Sequence, residues 1–217
     1  MTALTMYDSI DPSQIPADAA VVAGYTGGSW PTYASLATRF PHARRVSIAV
    51  TASADADFLD IENGDATVGS AAGWYARQRA RGVTRPGFYA SASTMAASLI
   101  PAYQAAGISR RSLRLWSAHY GSPLGPHICG PVTCGLVPVT MDATQLTDVA
   151  LGRNLDASLL AASFFGTSPP LEPHMEITKP PPGNWEGPVI VLGKGADGNL
   201  WETKTADGKT WTTPVKQ

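Results

Sequence analysis

The stretch DFLDIENGDAT, residues 57–67, sets Asp57, Asp60 and Glu62 around a few apolar residues and adds Asp65 just beyond a glycine. Side chains of an extended strand alternate with a period of two, so a strand over 57–62 puts Asp60 and Glu62 on one face. A half-buried strand that aims two carboxylates the same way is either a polar strand end or part of an acid/base site. The elements around it decide which.

Other short apolar runs fit strands at 4–8, 20–26, 45–51, 86–91, 113–119, 138–145 and 154–159. Helical stretches fit between several of them: 31–40 with Ser29 as N-cap, 66–81 with Asp65 as N-cap and Gly82 as stop, and 93–106 between Ser91 and Gly107. Over 66–81 the amphipathic pattern is Val68, Ala71, Ala72, Tyr75 and Arg79. Alternating strands and helices predict an α/β fold with parallel strands and right-handed crossovers. Eight strands favour closure into a compact (β/α) TIM-like barrel over residues 1–166 rather than an open sheet. It is irregular at one join, because TASADAD, between residues 50 and 58, is too short for a crossover helix.

Beyond residue 166 the composition changes. Residues 167–187 are rich in proline and read as an extended linker. Residues 188–217 carry two Ala-Asp-Gly turn signals, at 196–198 and 206–208, each followed closely by a tryptophan. About three strands fit this segment, too few to bury a core alone, so a small β-hairpin tail is expected to dock or to form oligomers.

Only 15% of the 217 residues are charged, against about 25% in typical globular chains, and with 21 Gly and 18 Pro this predicts a loop-rich surface suited to a cell exterior or an assembly. A net charge of −1 gives no electrostatic footprint for nucleic acid or an anionic membrane. No apolar run approaches the roughly 20 residues that span a bilayer, and the first residues lack the pattern of a signal peptide. Cys129 and Cys134, in HICGPVTCG, can close a small disulfide loop, or hold a metal together with His119 and His127. The spacing matches no zinc-binding pattern, so free or loop-stapling cysteines are expected, with no metal and no cofactor.

In a parallel barrel the carboxyl ends of the strands line the site. Asp8 ends the first strand, Asp60 and Glu62 the fourth, and Asp142 and Asp156 lie on the seventh and eighth. Glycosidic cleavage needs such convergence, one carboxylic acid protonating the leaving oxygen while another carboxylate supports the developing cation or activates water. Tyr25, Tyr89, Trp116 and Tyr120 fall near the same strand ends, where sugar rings can stack, and together with Asp142 they are assigned to substrate binding. Asp55 and Asp57 read as solvated loop acids, and Asp148 as a cap or surface residue.

The ordered set MYDSIDPSQ, FLDIENGD, RPGFYASAS, LRLWSAHYG and MDATQLTD, over residues 4–160, resembles family-25 glycoside hydrolases. It is more similar still to the related glycoside-hydrolase-like barrels of actinobacteria and their phages. The resemblance implies a muramidase-type lysozyme acting on peptidoglycan glycan, outside the cell or on a virion. By position, Glu62 resembles the general acid, and Asp60 the partner that orients the N-acetyl group or stabilises the cation. Asp8 matches the strand-one carboxylate and Asp156 the last-strand acid, while Asp142 stands where the family commonly carries an aromatic. The competing expectation is a non-catalytic barrel that binds glycan or serves as a structural module of a phage tail or surface assembly. A third is a metal-dependent hydrolase using His119, His127 and the acids.

Overall fold

The computed structural model describes residues 4–166 and the strand segments 189–194, 200–205 and 215–216. The expected linker and both Ala-Asp-Gly turns lie outside the described residues. Contacts divide the chain into two units, Met1–Pro169 and Pro170–Gln217.

In the first unit, eight strands close a barrel in sequence order: β1 (Leu4–Asp8), β2 (Val21–Tyr25), β3 (Arg44–Ala49), β4 (Phe58–Asp60), β5 (Gly87–Ser91), β6 (Arg114–Ala118), β7 (Ala143–Thr147) and β8 (Asp156–Leu160). Neighbours from β1 through β7 are parallel. β8 runs antiparallel to both β7 and β1, so the barrel is mixed, not all-parallel as expected. Residues 148–155 return the chain directly beside β7, and an antiparallel neighbour needs no crossover.

Helices are few: α1 (Tyr33–Arg39), α2 (Val68–Ala80), and after β5 a composite in which α3 (Ala92–Thr94) passes through a π-helical stretch (Met95–Leu99) into α4 (Ile100–Ala105). Pro101 accounts for the wide turn. It has no N–H, and its ring crowds the carbonyl one turn back, so the Ile100 N–H bonds instead to Met95 O. Ser91 caps this composite as expected, its Oγ accepting from the Thr94 N–H at 3.1 Å. Gly82 and Gly107 stop their helices at φ +89° and +71°, a region open to glycine. The other two expected caps are corrected. α1 and α2 start after Thr32 and Thr67 with no side-chain cap bond, so neither Ser29 nor Asp65 is a cap. The fully buried residues of α2 are Ala71, Trp74 and Gln78; of the expected pattern Ala71 is among them, and Val68 and Tyr75 pack partly buried beside them.

The short join between β3 and β4 is real and carries no helix. It works because β4 is only three residues long and pairs with the last residues of β3, Ile48 opposite Phe58 and Ala49 opposite Leu59. Side-chain bonds extend the missing ladder below that point. Asp57 Oδ2 accepts from Ser47 N at 2.9 Å and Ser47 Oγ at 2.7 Å, while the Asp57 N–H donates to Ser47 Oγ at 2.8 Å. Asp57 is thus a strand substitute, not the solvated acid its loop position suggested. α2 covers the join from outside: Trp74 Nε1 and Arg77 Nη2 donate to Ala54 O at 2.9 and 2.7 Å, and Asp55 pairs with Arg77 and Arg81.

Alternate residues of each strand fill the barrel or face the helices. Phe58, Tyr89 and Trp116 belong to the interior cluster, while Leu59, Phe88 and Leu115 pack outward with Trp74 and Tyr103. Gly87 must stay bare, since a Cβ there would lie 2.2 Å from the Phe58 ring. The chain leaving β8 plugs the amino end of the barrel with Phe164, stacked on Phe58 at 5.7 Å, and Arg44 lies 4.5 Å over the Phe165 ring. In the second unit β9 (Val189–Lys194), β10 (Leu200–Thr205) and β11 (Val215–Lys216) form an antiparallel sheet in the order β11-β10-β9, matching the three strands expected of the tail.

Candidate functional site

At the end opposite the phenylalanine plug, β1 finishes on Asp8 and β4 on Asp60. Because β8 runs backward, its first residue, Asp156, arrives at the same rim, directly opposite Asp8 in the ladder. The Ile61 N–H donates to Tyr89 O at 2.9 Å, carrying the β4–β5 ladder one residue past the strand. The period of two therefore persists: Phe58 and Asp60 point in, Leu59 and Ile61 pack outward, and Glu62 returns to the barrel mouth.

The result is a cleft of about 130 Å³ lined by Asp8, Asp60, Glu62 and Asp156 together with Tyr25, Tyr89, Trp116 and Tyr120. Ile48, Gln145 and Asp148 complete the lining, and none of these residues is basic. Asp142 is the one predicted site residue that lies elsewhere. β7 begins at Ala143, later than the sequence suggested, so Asp142 sits at the amino end of the barrel and Gln145 reaches the cleft instead. Gln145 was missed for that reason. It accepts from Tyr89 Oη at 2.6 Å and hydrogen-bonds Asp156. Asp148 is exposed, as expected of a surface residue, and stands on the rim of the cleft.

The aromatics divide by access. Trp116 is 1% exposed, its indole N–H donates to Ser158 Oγ at 3.0 Å, and Tyr89 packs on it at 4.8 Å. Both form the floor and present no open face for a sugar ring. Tyr25, half-buried, and Tyr120, 46% exposed, are the aromatics a ligand can reach.

Four carboxyl groups without a cation resist ionisation together. Burial, Asp156 and Asp60 hold Asp8 well above the usual carboxylate range. Burial first, then Glu62, Asp65 and Asp156, push Asp60 up to about 8. Glu62, at the mouth, is raised by burial and by Asp65 and Asp156. Burial lifts Asp156 to about 6, while hydrogen bonds from Asp8 and Gln145 restrain it. Asp8 Oδ1 and Asp60 Oδ1 are buried without a hydrogen-bond partner, which marks groups able to engage a ligand. The phenols of Tyr25 and Tyr89 are raised by burial and the acids around them, so both stay neutral donors.

No protein-family model matches the chain, and a search of curated proteins finds no match. Among solved structures the chain is similar to the crystal structure of an uncharacterized B. stearothermophilus protein, with a TM-score of 0.54 and 14% identity. The match covers 76% of this chain and 100% of the other. At this identity the likeness concerns the barrel fold alone.

Proposed function

We propose that residues 1–166 are a reduced (β/α) TIM-like barrel that hydrolyses a glycosidic bond in bacterial cell-wall peptidoglycan, as an extracellular or virion-associated muramidase-type enzyme. One observation carries the reading: acids far apart in sequence, Asp8, Asp60, Glu62 and Asp156, meet in one cleft with no neutralising cation. The chemistry asks for a pair of carboxyl groups held in different protonation states. Glu62, the most accessible of the four and raised by burial and by Asp65 and Asp156, is placed to give a proton to the leaving oxygen. Asp156, lifted to about 6 by burial and restrained there by the Asp8 and Gln145 hydrogen bonds, is the carboxylate at neutral pH and supports the developing cation. Asp60, neutral until about pH 8, donates to an acceptor such as an N-acetyl carbonyl. Tyr25 and Tyr120 flank a sugar ring.

Release of new reducing ends from purified cell walls tests this. Glu62→Gln is expected to lose about 10²–10⁴-fold in rate, the usual weight of a positioned general acid, with unchanged Tm. Equal rates in the two proteins would remove Glu62 from the mechanism.

A second reading, a barrel that holds glycan without cutting it in a phage particle or surface assembly, is favoured by the separate small unit at Pro170–Gln217. Three strands suit docking better than independent folding. Glycan binding by the native chain without new reducing ends, and a defined oligomer by light scattering, would decide for it.

A further inference from the structure

The connection from β6 to β7, residues 119–142, contains no helix or strand. A loop of that length inside a compact unit calls for something to hold it. Part of the answer is backbone anchoring to the barrel wall. The Cys129 N–H donates to Thr144 Oγ1 at 2.8 Å, and the Met141 N–H donates to Cys129 O at 2.8 Å. The Gly135 N–H closes a turn onto Gly130 O at 3.1 Å.

These anchors gather four side chains on one point. His119, His127, Cys129 and Cys134 each offer one ligand atom, and the four atoms lie within 4.8 Å of one another. His119 Nδ1 is 3.1 Å and His127 Nε2 is 3.7 Å from Cys129 Sγ. In a tetrahedral zinc site with bonds of 2.0–2.3 Å, neighbouring ligand atoms are about 3.3–3.8 Å apart. The orientation of His127 is a second, independent sign. Its Nδ1 lies 2.7 Å from Gly125 O, so Nδ1 carries the proton and donates it there, leaving the Nε2 lone pair directed at the cluster. A ring N–H anchored on a carbonyl is the usual outer support of a metal-bound histidine. Both thiols are free, and Cys129 is fully buried.

We propose that His119, His127, Cys129 and Cys134 form a closed, four-ligand zinc site that staples the β6–β7 loop to the barrel. Two sulfurs and two imidazole nitrogens in a tetrahedral arrangement select zinc among common divalent ions. Binding displaces one proton from each thiol to solvent, and with all four positions taken by protein the ion is structural. No linear spacing pattern shows the site, because His119 comes from the end of β6 and the other three from irregular backbone folded over it. His119 is followed directly by Tyr120, so the metal also fixes one wall of the cleft.

The full-length chain, purified with reduced thiols, is expected to hold one equivalent of zinc. Cobalt exchange should give the thiolate charge-transfer and intense visible bands of a tetrahedral site. Chelation should lower Tm by at least about 5 °C, a shift of a few kcal/mol for a unit of this size, and added zinc should restore it. His127→Ala, at a half-buried position that leaves the thiols intact, and Cys134→Ser are each expected to lose the cobalt spectrum and the zinc-dependent part of Tm. Failure of the reduced chain to take up either metal would overturn the proposal, whether the thiols then stay free or close a disulfide. Full zinc retention in both variants would overturn the ligand assignment.

Discussion

At the amino end of the barrel Asp142, 1% exposed, lies between two guanidinium groups, with Arg85 Nη2 at 2.7 Å and Arg110 Nη2 at 2.8 Å, and it accepts from the Leu115 N–H at 2.9 Å. Arg85 continues to the carbonyls of Leu113, Ser163 and Gly166, tying β5, β6 and the chain after β8 together. At the carboxyl end Asp8 and Asp60 are as deeply buried, yet face other acids and no cation. A buried charge that is paired and hydrogen-bonded holds a fold together, whereas an unpaired group shifts its pKa and keeps its proton. The same residue type is a structural anchor at one end and an unpaired, proton-holding group at the other. This difference also explains why Asp142, chemically like Asp8, does not belong to the site.

Changes at the anchored end should cost the most. Asp142→Ala leaves Arg85 buried without its partner and is expected to lose about 3–5 kcal/mol, read from urea denaturation. A loss under about 1 kcal/mol would show that the pair contributes little and that the contrast between the two ends is false.

The open end should respond in the opposite sense. An unfolded aspartate titrates near about 3.9, while folded Asp60 titrates at about 8. Between those values the unfolded state has released the proton that the folded state still holds, so stability falls as pH rises and the loss is complete above about pH 8. Asp60→Asn removes that dependence. It is expected to match the native chain near pH 4 and to exceed it by several kcal/mol at pH 8, while losing the proposed hydrolysis. Parallel denaturation curves at the two pH values check this, and a variant less stable than native at pH 8 would contradict an unpaired Asp60.

The smallest effect belongs to Asp65, exposed beside the mouth. Its charge contributes to the raised pKa of Glu62. If the proposed hydrolysis holds, Asp65→Asn should move the alkaline limb of its pH–rate profile downward by a few tenths of a pH unit, since an exposed charge is well screened. A limb that does not move at low salt would mean that another group controls it.

Much of the fold was legible because local patterns and burial agree in the strands. The alternation through residues 57–62 located Asp60 and Glu62 correctly, since the structure keeps the ladder running past β4 at Ile61. Ser91, Gly82 and Gly107 marked helix ends by chemistry that acts within a few residues. Asp57 and Asp65 were misread because their partners, Ser47 in one case and the acid cluster in the other, come from outside their own segment. Trp116 carried no local sign that its face would be closed by Tyr89 and Phe58.

Periodicity, caps and chain lengths sufficed for eight strands and their order, because those properties depend on neighbours in sequence. The direction of β8, the side of the barrel on which Asp142 falls, and the meeting of two histidines with two cysteines depended on closure of the barrel. Closure brings residue 8 opposite residue 156, and no interaction between nearby residues encodes that distance. The stretch at 57–67 supplied two of the acids. The closed barrel supplied the other two and kept every cation away from them.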